Sequence, residues 1–157
     1  KGSRLVRTYE LDRIKRELDH IIQMGVSHIF VLDPTFNMIP ERTVTLLKLL
    51  VENSSEDMHY TFEIRAELLD EISAQLFGEL YCSLQIGLQS NNVAVLQRIN
   101  RSFEPELFSK KIKLLQKHNV VFGLDLIIGL PGDTYQSFLS SIDYAINCRP
   151  SNIDIFL

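Results

Sequence analysis

The sequence predicts an α/β fold in which a parallel sheet alternates with helices. Three observations carry that prediction. Short apolar segments alternate with amphipathic stretches of helical period along the whole chain. Successive strand starts lie about 23 to 38 residues apart, the size of a strand–helix–strand unit. The 157 residues, with 45% hydrophobic and 23% charged, suit one globular domain with a full core. Residues 1–157 are therefore read as a single domain.

The first helix is expected from about Glu10 to Met24, with Leu11, Ile14, Leu18, Ile21 and Ile22 on one face. Thr8 is its expected N-cap, and Gly25 its stop. A strand at His28–Leu32 ends at Asp33-Pro34, since proline cannot continue the ladder. Pro40 opens a second helix that runs to about Glu52, and a strand follows at Tyr60–Ile64. A third helix is expected from about Leu68 to Phe77, stopped by Gly78, before a strand at Ser83–Leu88. A short helix at Val93–Ile99 precedes a longer one at Pro105–His118 that buries Phe108, Ile112 and Leu115. The longest apolar run, Val120 to Leu130, supplies the next strand. The helix from Tyr135 to Asn147 is led by Asp133, with Gln136 at a capping-box spacing, and Pro150 ends it. Ile153–Leu157 reads as a buried last strand.

The strands look nearly continuously apolar, as strands covered on both faces do. Repeated right-handed crossovers give a parallel sheet, and both an open doubly wound sheet and part of a barrel fit this order. No repeat or low-complexity stretch appears. The first four residues read as a loop entered halfway and the last as a strand with nothing after it, so the chain is read as a piece of a longer protein.

Composition narrows the function. Sixteen basic against 20 acidic residues give a net charge of −4, which argues against a nucleic-acid module. No apolar run is long enough to span a bilayer and no signal peptide opens the chain. The two cysteines, Cys82 and Cys148, are too few for a disulfide framework or a thiolate metal site, and reduced thiols point to the cytoplasm. His20, His28, His59 and His118 lack metal-ligand spacing.

In either architecture ligands sit at the carboxyl ends of the strands. Those ends carry Asp33-Pro34-Thr35-Phe36-Asn37, Glu63-Ile64-Arg65, Gly87-Leu88-Gln89-Ser90 and Asp125 through Gly132. Singly each has a plain reading: a turn, a structural pair, a helix cap, a tight glycine turn. Four polar tips on one rim have the layout of an active-site mouth.

Asp33-Pro34-Thr35-Phe36-Asn37, Ile86-Gly87-Leu88-Gln89-Ser90, Asn100-Arg101 and Asp125 through Thr134, in that order, resemble the radical S-adenosylmethionine (SAM) superfamily. They are most similar to the branch with a cobalamin-binding domain, related to the anaerobic magnesium-protoporphyrin IX monomethyl ester oxidative cyclase. The resemblance implies a partial (β/α)6 barrel of about five βα units that lacks the first strand and the cluster loop. It implies an enzyme that reductively cleaves SAM to a 5′-deoxyadenosyl radical for hydrogen abstraction, with cyclase-like or methyl-transfer outcomes open. It further implies a 4Fe–4S cluster, cobalamin in an upstream domain, and an electron donor such as flavodoxin or ferredoxin. The cluster's CxxxCxxC motif is absent here, and Cys82 and Cys148 cannot replace it, so this chain alone is expected to be inactive.

The resemblance also implies roles. Asp33, Pro34 and Thr35 match the backbone segment that receives the SAM amino group. Glu63 matches a carboxylate at the nucleoside, and Gln89 and Ser90 a polar pair lining the ribose. Arg101 matches the arginine that pairs with the SAM carboxylate, where a guanidinium fork is bidentate. Asp125 matches an acid facing the nucleoside, and Ile128 and Gly129 part of the segment packing the adenine. Arg65, two residues from Glu63, either neutralises it or meets substrate. A competing reading is a non-radical βα-barrel-like domain binding a nucleotide or phosphate, with Gly129 to Thr134 as an anion turn at a helix N-terminus. The unpaired sheet edges of such a piece are expected to let it self-associate.

Overall fold

A computed structural model describes residues 7–157. Six helices and five strands alternate: α1 (Leu11–Gln23), β1 (His28–Val31), α2 (Pro40–Asn53), β2 (His59–Ile64), α3 (Glu71–Gly78), β3 (Cys82–Gln89), α4 (Val93–Arg98), α5 (Pro105–Lys117), β4 (Val121–Ile127), α6 (Tyr135–Asn147) and β5 (Asn152–Phe156). Short 3₁₀ turns at Phe36–Met38 and Ala66–Leu68 follow β1 and β2.

All strands are parallel, and their spatial order equals their chain order, β1-β2-β3-β4-β5. That order decides between the two expected architectures. A doubly wound sheet reverses direction at a switch point; this one never does. Right-handed crossovers that all step the same way place every helix on one face, so the sheet is a segment of a barrel.

The strands are therefore not covered on both faces, contrary to expectation. Tyr60, Phe62 and Ile64 on β2, Leu84, Ile86 and Leu88 on β3, and Phe122, Leu124 and Leu126 on β4 are buried. They pack against Leu47, Phe77, Ile112 and Leu115 from the helices. The alternate positions form a concave polar face: Thr61 and Glu63, then Ser83, Gln85, Gly87 and Gln89, then Gly123 and Asp125, then Asn152 and Asp154. Register places Glu63 beside Gln85, Gln85 beside Gly123, and Asp125 beside both Gly87 and Asp154.

Several helix signals are corrected by one residue or a few. The N-cap of α1 is Glu10, not Thr8, and its side chain makes no capping bond. α3 starts at Glu71 because Asp70 and Ser73 form a capping box, and the segment before it is the 3₁₀ turn. Gly78 is the last helical residue of α3 rather than its stop, and a Cβ there would collide with the backbone of His118. α6 is capped by Thr134 with Ser137, not by Asp133 with Gln136. β5 is exposed rather than buried, with Ile155 at 53% and Phe156 at 51%.

Candidate functional site

A cavity of about 340 Å³ opens on the concave face at the carboxyl ends of β1 to β4. That is within the size of small-molecule sites, roughly 300–1,000 Å³. Pro34 and Thr35 line it from the loop after β1, and Glu63, Ile64 and Arg65 from the end of β2. β3 contributes Gln85, Gly87 and Gln89, and β4 contributes Asp125. Asn100 and Arg101 close it from the turn after α4.

The tip of β3 is locally distorted. Its pairing to β4 shifts between Gly87 and Gln89, a bulge, and Gln89 adopts φ +68°. A left-handed conformation costs an ordinary residue about 1–2 kcal/mol. Bulges of this kind re-aim side chains beside sites. The Gln89 amide folds back over Gly87, filling the space a Cβ there would need.

Arg101 reaches the same place from the other side, and its Nη2 donates to the Gly87 carbonyl. Burial lowers the Arg101 pKa, the Glu67 charge opposes that, and the Arg65 charge adds to it. The guanidinium stays protonated, since arginine is not deprotonated in proteins. Arg65 does not neutralise Glu63. Its Nε donates to Glu67 Oε1 at 2.8 Å, and its Nη2 binds the same oxygen.

Asp125 carries the opposite electrostatics. Burial raises its pKa, and the nearby Asp154 and Glu63 carboxylates raise it further. A cationic or hydrogen-bond-donating group placed beside it would reverse that bias. Gln85 Oε1, on the cavity wall, is buried with no hydrogen-bond partner among the described residues. An unpaired buried acceptor costs about 1–3 kcal/mol, so a donor from a ligand would be favourable there. Pro34 O accepts from the Thr35 hydroxyl at 2.7 Å and Thr35 O from the Met38 amide at 3.1 Å; each keeps a second lone pair.

These features suit SAM. The lining offers acceptors, which an amine, a sulfonium and ribose hydroxyls require, and Arg101 keeps N–H donors beyond the one given to Gly87, which a carboxylate requires. They do not suit an iron–sulfur cluster. No trio of His, Cys, Asp or Glu among the described residues can hold a metal. Cys82 starts β3, at the far end of the sheet, where burial pushes its thiol up to about 12. Cys148 caps α6 and is buried too.

Not every expected residue reaches the cavity. Asp33 lies on a neighbouring apolar groove, and its Oδ1 accepts from the Thr35 amide at 3.3 Å, serving its own turn. Ser90 is 1% exposed; its hydroxyl meets that of Ser141 at 3.2 Å and accepts from the Asn92 amide at 3.1 Å. It ties β3 to α6. Ile128 and Gly129 follow β4 outside the cavity, and Gly129 holds φ +83° with nothing within 4 Å of a Cβ. Its glycine serves backbone conformation, not close approach. Gly132, at φ +77°, lies under the guanidinium of Arg98, which fills the place of a Cβ. Gln85, by contrast, lines the cavity without having been singled out. Its signal was the polar alternation Ser83, Gln85, Gly87, Gln89 along β3.

Comparison with known proteins agrees with the fold. The chain is 24% identical over 144 residues to a tRNA-2-methylthio-N(6)-dimethylallyladenosine synthase of Bdellovibrio bacteriovorus, covering 85% of this chain and 32% of that protein. It is 24% identical over 151 residues to an oxygen-independent coproporphyrinogen III oxidase of Helicobacter pylori, covering 94% and 33%. The chain thus spans about a third of the length of the curated relatives it matches. Among solved structures, a radical SAM methyltransferase from Kitasatospora setae, with tryptophan and a SAM analog bound, superposes at TM-score 0.83 and 16% identity, covering 94% and 30%. Coproporphyrinogen III oxidase from Escherichia coli superposes at 0.74 and 22%, covering 93% and 36%. A cobalamin-dependent SAM radical enzyme with aqua-cobalamin bound superposes at 0.68 and 15%, covering 85% and 22%. Residues 1–145 match the radical SAM superfamily, and the chain belongs to it.

Proposed function

We propose that this chain is the SAM-binding wall of a radical SAM enzyme of the cobalamin-assisted, oxidative-cyclase-like kind. The observation that carries the reading is the cavity at the strand ends, where Arg101, two carboxylates and the unpaired Gln85 acceptor converge. SAM bound in this superfamily supplies a 5′-deoxyadenosyl radical that removes a hydrogen atom from a substrate. Arg101 would hold the SAM carboxylate, and the free lone pairs of the Pro34 and Thr35 carbonyls its amino group. Glu63 accepts ribose hydroxyls, and Gln89 lies over the same wall. Asp125, paired in register with Asp154, faces the barrel interior.

The cluster ligands lie outside these 157 residues in this reading, because two buried cysteines cannot supply them. A flavodoxin- or ferredoxin-type donor would deliver the electron. The structural neighbour with aqua-cobalamin bound supports a cobalamin role. The competing phosphate reading is disfavoured by α6. The Thr134 hydroxyl accepts from the Ser137 amide at 3.1 Å, and Asp133 Oδ1 accepts from the Thr134 amide at 3.0 Å. The start of that helix is already served by its own side chains, one of them anionic.

Anaerobic calorimetric titration, with SAM and with ADP, of the protein extended to include the cluster ligands and loaded with the cluster separates the two. Saturable SAM binding lost in Arg101→Ala is expected. Binding of ADP, with none of SAM, would overturn the reading.

A further inference from the structure

Asn37 is 1% exposed, and both atoms of its amide are used across the fold. Nδ2 donates to the Arg65 carbonyl at 2.9 Å, and Oδ1 accepts from the Arg65 amide at 3.0 Å. A side-chain amide carries the donor and acceptor of a peptide group. The β1–β2 ladder ends at Val31 and Phe62, so β1 offers Arg65 no backbone partner. Asn37 supplies that missing rung, on the β1 side of the strand end.

The rung joins the two walls of the cavity. Just before Asn37 lie Pro34 and Thr35, which form one wall; just before Arg65 lie Glu63 and Ile64, which form the next. Phe36 anchors the same loop by packing its ring 4.6 Å from that of Phe62. The ring fixes the depth of the loop, and the amide fixes its position along β2. Hydrogen bonds are directional where apolar contacts are not.

We infer that Asn37 is a positioning residue that couples the Pro34–Thr35 wall to the Glu63–Arg65 wall and so sets the spacing of the SAM site. The inference rests on the SAM reading for its consequence, and on the Asn37–Arg65 geometry for its existence. Aspartate cannot replace asparagine here while ionised. A carboxylate still accepts from the Arg65 amide but turns a second acceptor toward the Arg65 carbonyl, and it buries a charge. A protonated carboxyl regains one donor and one acceptor.

The test uses the protein extended to include the cluster ligands and loaded with the cluster, as wild type, Asn37→Ala, Asn37→Asp and Leu115→Ala. Leu115 is a buried α5 residue away from the cavity and controls for lost stability. Two quantities are read: SAM affinity, and hydrogen exchange of the segment containing the Arg65 amide without SAM. Both Asn37 variants are expected to weaken SAM about tenfold or more, whereas Leu115→Ala leaves it within about twofold. Exchange at Arg65 should quicken beyond any global change, most in Asn37→Ala and less in Asn37→Asp, whose carboxylate still accepts from the Arg65 amide but repels the Arg65 carbonyl. Asn37→Asp should recover affinity and protection on acidification, relative to wild type at the same pH; a merely structural loss would not. Equal weakening by Leu115→Ala, or unchanged Arg65 exchange, overturns the inference. If wild type binds no SAM, the SAM reading falls and the exchange result alone decides whether the clamp exists.

Discussion

Two residues at the cavity are held in conditions that folding alone would not choose. Gln89 sits at φ +68° on a bulge, a conformation only glycine adopts without strain. Gln89→Gly is expected to raise stability by about 1 kcal/mol in chemical denaturation while weakening SAM binding, a trade of stability for function. A variant that gains stability and keeps its SAM affinity would show that the strained backbone has no functional role. Asp125 is the second case. Burial, Asp154 and Glu63 raise its pKa, so the unfolded chain ionises first as pH rises. Stability is full below the ordinary carboxylate value of about 3.9 and is lost as pH climbs toward the raised native value. Asp125→Asn should therefore flatten the fall in urea midpoint as pH rises above about 4. An unchanged slope would assign the pH dependence to other groups.

At the scale of elements, α6 shows how local chemistry fixes a boundary. Thr134 and Ser137 cap it reciprocally, and Thr134→Ala should cost about 1 kcal/mol of unfolding free energy. No change would mean that the Asp133 carboxylate carries the cap. The order of helices and strands was legible because apolar period and turn residues are local signals. The strand tips were legible for the same reason, and Glu63, Gln89, Arg101 and Asp125 do meet at one cavity. What the sequence hid depends on partners far along the chain. Ser90 finds Ser141 on α6, Asn37 finds Arg65 on the next strand, and each pairing exists only after the sheet is assembled. Arg65 could have served Glu63 by spacing, but the 3₁₀ turn after β2 brings Glu67 closer. The open inner face was concealed by apolar residues on both sides of β1 and β4, although β3 alternates plainly between apolar and small or polar residues.

The described residues form a five-stranded parallel segment whose edge strands, β1 and β5, each have one paired neighbour. Phe30 is 48% exposed on one edge and Phe156 51% on the other. Exposed edges of this kind recruit further strands. The isolated chain is accordingly expected to self-associate, and a single monomer species at high concentration in analytical ultracentrifugation would contradict that. No described helix is long and apolar enough to cross a membrane. If the concave face binds SAM for radical chemistry, SAM must perturb the cluster, and electron paramagnetic resonance reads that contact. The measurement is the low-temperature spectrum of the reduced protein, extended to include the cluster loop and reconstituted anaerobically with iron and sulfide, with and without SAM. The cluster signal is expected to shift when SAM is added, and the shift to be lost in Arg101→Ala. A cluster signal indifferent to SAM would contradict SAM binding on this face.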